Sequence, residues 1–343
     1  MMSKQLLTVS TSPHMLGGMS VRSMHVEYII ALIPALATGV YYFGWPALLT
    51  VLLATGSAVV CELALTKLAK QPTKLDDLHA VVMGLLLGLI LPPVVAGLED
   101  ACPWWIPVVG GALAVGLGKV LFGGIGAYPM NPVLIAWAAL ALSWPEHTMA
   151  FLDPMPWGTE DPEWVVSTAP LVEFKNDIGN MLSYEMANLW SGMYPSAVGA
   201  GGSWALLLGG VYLIIRRIVP WQIPLGVLAG LIGMALLATY TDSRIVEMEL
   251  ETFNDHWNVA LFHMATGGLM ITAFFLAPEP VSSPMTPWGM LLFGVGIGVM
   301  TVLVRHWGAP IDGAFYGVLI MNAATPLFDR IRPRVLGKVG SSA

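Results

Sequence analysis

Of the 343 residues, 56% are hydrophobic and 11% charged; that is under half the charged fraction of an ordinary soluble domain and places the chain in a membrane. A formal net charge of −7 supplies no basic stripe to neutralise phosphates, which argues against nucleic acid as a partner. Two cysteines, Cys61 and Cys102, are too few for a self-contained iron-sulfur cluster or structural zinc site and read as small packed hydrophobes.

Residues 1–25 carry Lys4 and Arg22 but no apolar signal-peptide core, so this segment is expected in the cytoplasm. A span needs about 20 mostly apolar residues. Such blocks recur near 26–42, 46–66, 79–97, 104–122 and 132–147, then near 204–219, 223–240, 257–277, 288–304 and 311–328. They predict an all-α integral membrane protein of about ten transmembrane helices, with one five-helix half over 26–147 and another over 204–328. Trp45, Trp104, Trp105, Trp144, Trp204, Trp221 and Trp288 fall at block edges, where an amphipathic ring prefers the headgroup level.

Between the halves, 148–203 forms an outer loop, and the polar stretch from 145 to 203 holds eight carboxylates against Lys175 alone. With both termini cytoplasmic, including the tail 329–343, twelve of the fifteen cations lie inside and only Lys175, Arg244 and Arg305 outside. This is a strong positive-inside bias. It also puts the acidic loop from Thr241 to Asp255 on the outer face.

A weak internal repeat agrees with this count. Gly84-Leu-Leu-Leu-Gly-Leu-Ile-Leu-Pro-Pro93, Pro103-Trp104 and Gly126-Ala-Tyr-Pro-Met-Asn-Pro132 are echoed by Gly268-Leu-Met-Ile-Thr-Ala-Phe-Phe-Leu-Ala-Pro-Glu-Pro280, Pro287-Trp288 and Gly308-Ala-Pro-Ile-Asp-Gly313. Two halves with an odd number of spans are inverted relative to each other, which places sites at their interface.

Pro92, Pro93, Pro129, Pro132, Pro278, Pro280 and Pro310 interrupt or border these blocks. Backbone freed by a proline inside a bilayer must be satisfied by protein or line a cavity. Gly123, Gly124 and Gly126 would let main chain approach a ring closely, and Asn131 would offer an amide to a heteroaromatic edge. Lys119 and Glu62 fall at the inner ends of their blocks, where long side chains are expected to snorkel. His263, Glu279 and Asp312 are candidates for an ion or cofactor path. For His263 a hydrogen-bonded packing role competes, since the sequence offers no metal-ligand companion. No hydrolytic, nucleotide-binding or metal constellation emerges, so no catalytic residue and no metal ligand is assigned, and electron transfer would need a borrowed cofactor.

Ser12-Pro13-His14, Leu86 to Pro93 with Pro103-Trp-Trp105, Gly118-Lys119, Gly123-Gly124, Pro129-Met-Asn-Pro132, Trp221-Gln-Ile-Pro224, His263 to Pro280, Gly289 to Gly294, Met321-Asn322 and Arg332-Pro-Arg334 run in order over nearly the whole chain. At these residues the sequence resembles the NqrB/RnfD family, above all the D subunits (RnfD) of Rnf electron-transport complexes, which are ion-translocating ferredoxin:NAD oxidoreductases. The resemblance implies a flavoprotein subunit of the cell inner membrane. Its partners would be subunits A, B, C, E and G of the complex, with the G flavoprotein on the outer face, and the coupled ion Na+ or H+.

It further implies an FMN joined through its phosphate to a threonine of a Ser/Thr-x-Ala-Thr motif before Pro-Leu, and a non-covalent riboflavin near the asparagine matching Asn131. Here the chain reads Ser167-Thr168-Ala169-Pro170-Leu171, as though the acceptor threonine were missing. Aligned from Pro170 backwards, Ala169 takes the acceptor place; Thr168 is displaced by one residue. Four readings stand here: covalent FMN at Thr168, non-covalent FMN in the same pocket, loss of this flavin, and a plain loop turn before Pro170. The family's Thr-Asp-Pro is Ala277-Pro278-Glu279-Pro280 here, and its asparagine three residues before Asn131 is Tyr128. The competing readings are a B-type subunit of a Na+-translocating NADH:quinone reductase and, in another class, a solute channel or secondary transporter.

Overall fold

The computed structural model describes residues 20–69, 75–95, 97–156, 158, 164–177, 184–246, 253–309 and 312–331. The expected cytoplasmic ends at 1–19 and 332–343, Pro310, and the loop carboxylates Glu160, Asp161 and Glu163 lie outside these residues.

The first helix, α1 (Val21–Leu68), has 48 residues, about 72 Å if straight and more than twice a bilayer core. It does not run straight. Gly44 leaves the helical region (φ 58°, ψ −139°), a conformation glycine adopts without a Cβ penalty. His25 on the first arm bonds the Asp77 carbonyl, and Glu62 on the second arm lines a cavity with the same Asp77. Both arms therefore end at one face of the bundle, and the two blocks expected at 26–42 and 46–66 are the arms of a helical hairpin.

Helix α2 (His79–Ile90) packs against the second arm through small residues. A Cβ at Gly84 would lie 2.4 Å from Thr55 Cα, and one at Gly88 2.7 Å from Val51 Cα; glycine there lets two backbones touch, as membrane helices without a hydrophobic drive between them require. The helix stops before Pro92-Pro93, and the freed Val94 N–H donates to Thr50 Oγ1 at 2.8 Å. Helices α3 (Trp105–Gly116) and α4 (Pro132–Ser143) complete the first half, followed by the single turn α5 (Pro145–Thr148).

The outer loop contains two-residue strands, β1 (Phe151–Leu152) and β2 (Val166–Ser167), paired antiparallel, and the short helices α6 (Pro170–Asn176) and α7 (Met186–Ser191). Then come α8 (Ser203–Ile215), α9 (Gln222–Thr241), α10 (Ser243–Val246), α11 (Phe253–Ala265), α12 (Leu269–Ile271), α13 (Pro287–Trp307) and α14 (Gly313–Phe328). Helices α9 and α13 interlock through Gly226, Gly230, Gly294 and Gly298, each lying against backbone of the other helix.

The protein is an all-α membrane fold. Among the described residues four helices are long and apolar enough to cross a bilayer, and a bent pair, 255–265 with 269–276, adds a fifth broken span with a 67° bend. Shorter apolar helices are α2, α4, α8 and α14. The end carrying His25, Asp77 and Tyr128 is called inner below, after the cation distribution. Arg305 departs from the expectation of an outer-loop cation: it sits in the last turn of α13 with no exposed surface.

Candidate functional site

The broken helix organises the site. Between α11 and α12 the chain turns at Gly267 (φ +66°), where a Cβ would meet Leu171 at 2.6 Å and Asp312 Oδ2 at 2.8 Å. Beyond it, 272–276 widens into a π-helical turn, a form often found at functional sites. Residues 268–276 span about 12 Å and are gripped at both ends by helix-capping side chains. Asn131 caps α4, accepting from Val133 N–H at 2.9 Å, while its Nδ2 donates to Leu276 O at 2.9 Å. Asp312 caps α14, accepting from Ala314 N–H at 3.1 Å, while its other oxygen accepts from Gly268 N–H at 2.5 Å. One half thus holds the inner end of this segment by an amide, and the other holds the outer end by a carboxylate.

A cavity opens at each end. The inner one, of about 220 Å³, has apolar walls from Met24, Met83, Leu86 and Phe275 and polar groups from His25, Tyr28, His79, Tyr128, Asn131 and Glu279. Tyr128 OH donates to Glu279 Oε1 at 2.6 Å, and Glu279 Oε2 accepts from Val281 and Ser282 N–H. The one phenolic proton being committed, the 3.2 Å contact between Tyr128 OH and His79 Nε2 requires His79 to donate from Nε2. Nδ1 of His79 is then a buried acceptor without a partner, and the Tyr28 hydroxyl also lacks one. Buried polar groups are normally satisfied, so two orphans on the walls of one apolar cavity point to a ligand with polar edges.

The outer cavity is tighter, about 60 Å³, and is lined by Trp137, Ala169, Leu171, Tyr194, Asp312 and Phe315 among others. That volume admits a few waters, not a three-ring system. Behind Asp312 lies a buried network. Arg305 donates to His263 O, Thr266 O and, at 3.0 Å, Asp312 Oδ1. His263 and His306 meet Nε2 to Nε2 at 3.0 Å, and His306 Nδ1 donates to Asp242 Oδ2 at 2.8 Å. Arg244 closes the network from the rim with a 2.7 Å bond to Asp242. Burial opposes ionisation of Asp242, but the bonds from Arg244 and His306 outweigh it and hold its carboxyl below the ordinary value.

The loop motif lies over this end. β2 ends at Ser167, Thr168 is exposed, and Ala169 is buried as the residue capping α6. Thr168 Oγ1 donates to Glu173 Oε1 at 2.8 Å, and Tyr184 OH donates to Glu173 Oε2 at 2.5 Å. The Thr168 hydroxyl is accessible, as an ester would require. A phosphate on that oxygen would nevertheless lie against the Glu173 carboxylate, and like charges in contact repel. The outer residues as arranged do not fit a phosphoester, whereas the inner cavity fits a heteroaromatic ring.

The structure thus separates what the sequence reading grouped. Asn131 lines the inner cavity, but its amide is largely spent on α4 and Leu276. Gly123 and Gly124 (φ +103° and +102°) line a neighbouring cavity with Glu62 and Lys119 instead. Lys119 and Glu62 do not snorkel; each is 3% exposed and they pair at 2.5 Å. His263 is not alone but faces His306, and it joins Asp312 through Arg305. Glu279 stands apart at the inner end. The residues missed were His25, Tyr28, His79, Arg305 and His306. A signal did exist for one pair: Tyr128 and Glu279, each at a departure from the family pattern, touch each other. Among the described residues no group of three or more His, Cys, Asp or Glu gathers to hold a metal.

These features define a class: polytopic α-helical membrane proteins with ligand cavities at the breaks of their helices. A model of the NQR2, RnfD, RnfE family matches residues 8–337. The chain belongs to that family. Among the D subunits of ion-translocating oxidoreductase complexes, it is 35% identical over 346 residues to that of Stutzerimonas stutzeri, a match covering 93% of each chain. To that of Yersinia enterocolitica it is 31% identical over 372 residues, 96% of this chain and 98% of that one. Among the D subunits of Na(+)-translocating ferredoxin:NAD(+) oxidoreductase complexes, it is 36% identical over 340 residues to that of Acetobacterium woodii, 98% and 97% of the two chains.

Proposed function

We propose that this chain is the membrane subunit of an Rnf-type complex that carries electrons between ferredoxin and NAD and couples them to movement of Na+ or H+. The relatives that match it over almost their full length bear names of that kind. The observation that carries the reading to this chain is the inner cavity, apolar-walled and edged by the unpartnered His79 Nδ1 and Tyr28 OH. A flavin of the riboflavin type bound there would supply one- and two-electron redox chemistry. The chain's own part is to hold its ring between Met83, Leu86 and Phe275, offer His79 Nδ1 as an acceptor, and keep Glu279 fixed through Tyr128. The outer face, with Glu146, Asp153, Glu173, Asp177 and Glu185, is the docking surface for a partner flavoprotein subunit.

Ten crossings in two inverted halves of the inner membrane, both termini cytoplasmic, suit this role: the α1 hairpin counts as two, and α2, α3, α4, α8, α9, the bent α11 and α12 pair, α13 and α14 as one each. The matching grips of Asn131 and Asp312 on opposite ends of one segment support the inversion.

The test is flavin release on denaturing the purified complex, together with ion uptake into vesicles on adding reduced ferredoxin and NAD. We expect released flavin, diminished when Tyr28→Phe and His79→Leu are combined, and uptake that stops without donor. No released flavin and donor-independent solute flux would return the chain to the transporters; electron delivery to quinone in place of NAD would move it to the quinone-reductase subunits.

A further inference from the structure

Three side chains of the inner cavity form an unbroken line of hydrogen bonds. Tyr128 OH lies 2.6 Å from Glu279 Oε1 and 3.2 Å from His79 Nε2, so one phenol joins a carboxylate to an imidazole. Glu279 Oε2 already accepts from two backbone N–H groups, which leaves Oε1, the oxygen facing Tyr128, to take a proton. Glu279 is half-buried beside the exposed Pro280 at the inner end, where water reaches it. At the other end of the line His79 borders the cavity, and its Nδ1 is buried without a partner.

Hydrogen-bond direction couples the two ends. With Glu279 ionised, Tyr128 donates to Oε1, His79 donates from Nε2 to Tyr128, and Nδ1 is a bare acceptor. With one proton added on Oε1, the carboxyl donates to the phenol oxygen, the phenol donates to Nε2, and Nδ1 carries the hydrogen. No heavy atom has to move. The titratable and charged neighbours are His25 and Tyr28 on α1, Asp77 and Lys119. His25 stands 5.1 Å from His79, ring to ring, with its Nδ1 on the Asp77 carbonyl. Asp77 Oδ1 accepts from His79 N–H at 2.9 Å, and Lys119 is paired with Glu62. Among the described residues none of these four bonds the Glu279 carboxylate or a ring nitrogen of His79.

We propose that Glu279, Tyr128 and His79 form a proton relay from the inner aqueous face to a ring nitrogen of the ligand in this cavity. The relay rests on the flavin reading above and adds to it the path of the proton. Electrons from reduced ferredoxin make a heteroaromatic ring more basic, since negative charge favours the protonated form. Glu279 Oε1 takes one proton from the inner water and passes it to the Tyr128 oxygen. Tyr128 passes its own to His79 Nε2, and His79 gives the proton on Nδ1 to the ring nitrogen. One proton leaves the water for each that the ring gains, and the three side chains end as they began.

The experiment mixes the purified complex rapidly with reduced ferredoxin in weakly buffered solution containing a pH-indicator dye. The dye reports proton uptake, and absorbance follows the flavin component that is missing from the combined Tyr28→Phe and His79→Leu variant; flavin released on denaturation is measured on the same preparations. Wild type should take up a proton in step with that component. Glu279→Gln and Tyr128→Phe should each delay the uptake at least tenfold on the flavin that stays bound. Added acetate should restore Glu279→Gln, whose missing carboxylate stood at the water-facing end, and not Tyr128→Phe, in which the middle link is cut; a merely structural role would not give this difference. Should Tyr128→Phe fail to assemble, the acetate rescue of Glu279→Gln decides, and should Glu279→Gln fail, the delay in Tyr128→Phe decides. Undelayed uptake in the assembled variants, or a delay in Glu279→Gln that acetate leaves unchanged, overturns the relay while the flavin reading stands. No flavin released from wild type overturns that reading and the relay with it.

Discussion

The two ends of the broken helix are built alike and finished differently. At each, a residue capping the last helix of one half reaches across to the 268–276 segment, Asn131 from inside and Asp312 from outside. At the outer end every oxygen of Asp312 is met, by Gly268, Ala314 and Arg305, and the cavity is small. At the inner end the carboxylate belongs to Glu279, the space is several times larger, and two buried polar groups have nothing to bond. The outer network has orphans of its own, Arg305 Nε and His263 Nδ1, but neither lines the outer cavity, whereas His79 Nδ1 and Tyr28 OH line the inner one. One scaffold thus gives a tight joint and an open pocket edged by polar groups that a ligand can meet.

Breaking the closed joint should cost most. Arg305→Ala removes a fully buried guanidinium and strands Asp312 and two backbone carbonyls; losing one member of a buried pair costs about 3–5 kcal/mol. The expected result is loss of assembled complex, or a much lower melting temperature. Gly267→Ala attacks the same joint through the backbone. A positive φ costs a non-glycine residue about 1–3 kcal/mol, and the added Cβ must also displace Leu171. Reduced thermal stability with flavin binding weakened only in proportion would show that the turn supports the segment and not the ligand.

Tyr128→Phe tests the open pocket. It removes the donor to Glu279 and the acceptor for His79, at about 1–3 kcal/mol for polar groups left unpaired, and should release flavin more than it lowers the melting temperature. Equal effects on both would place Tyr128 among the joint residues. This pair also shows what the sequence could convey. The stop before Pro92 and the start of α4 at Pro132 were legible, because proline and hydropathy act locally; the break at Gly267–Gly268, inside the block expected as one span near 257–277, was not. The partner of Tyr128 lies 151 positions away, and nothing in either neighbourhood names the other. Hydropathy gives a charge its cost without its counter-charge, which is why Lys119 and Glu62 read as snorkelling ends and Arg305 as a loop cation. The α1 hairpin was legible as two blocks, since Gly44-Trp45-Pro46 interrupts the apolar run.

Acid should loosen the rim of the joint with a smaller effect. Asp242 is held below the free carboxyl value of 3.8, so its folded state binds the proton less readily than the unfolded chain. Its stabilising contribution is complete above that free value and is lost as pH falls through the lower folded one. As pH falls below 3.8 the wild-type melting temperature should fall more steeply than that of Asp242→Asn, and the two curves should converge once pH has passed the lower folded value. Parallel curves would mean that Arg244 and His306 do not select the ionised form.

The smallest effect on stability, and the sharpest on chemistry, belongs to the outer loop. Thr168→Ala removes an exposed hydroxyl whose bond goes to Glu173, itself still held by Tyr184, so stability should change by less than about 0.5 kcal/mol. The mass of the 164–175 peptide carries the decision. With Glu173 against the hydroxyl, wild type should show no added flavin phosphate, and Thr168→Ala should differ from it by the lost side-chain atoms alone. Ala169→Thr restores a hydroxyl at the position counted back from Pro170, where it enters the tight outer cavity. If that variant takes up flavin when produced alongside the attaching enzyme while wild type does not, the cofactor was lost with one residue from a loop otherwise able to receive it. If wild type already carries the ester, Glu173 must swing away from Thr168 to admit the phosphate, and the outer end is no longer the closed joint that its hydrogen bonds describe.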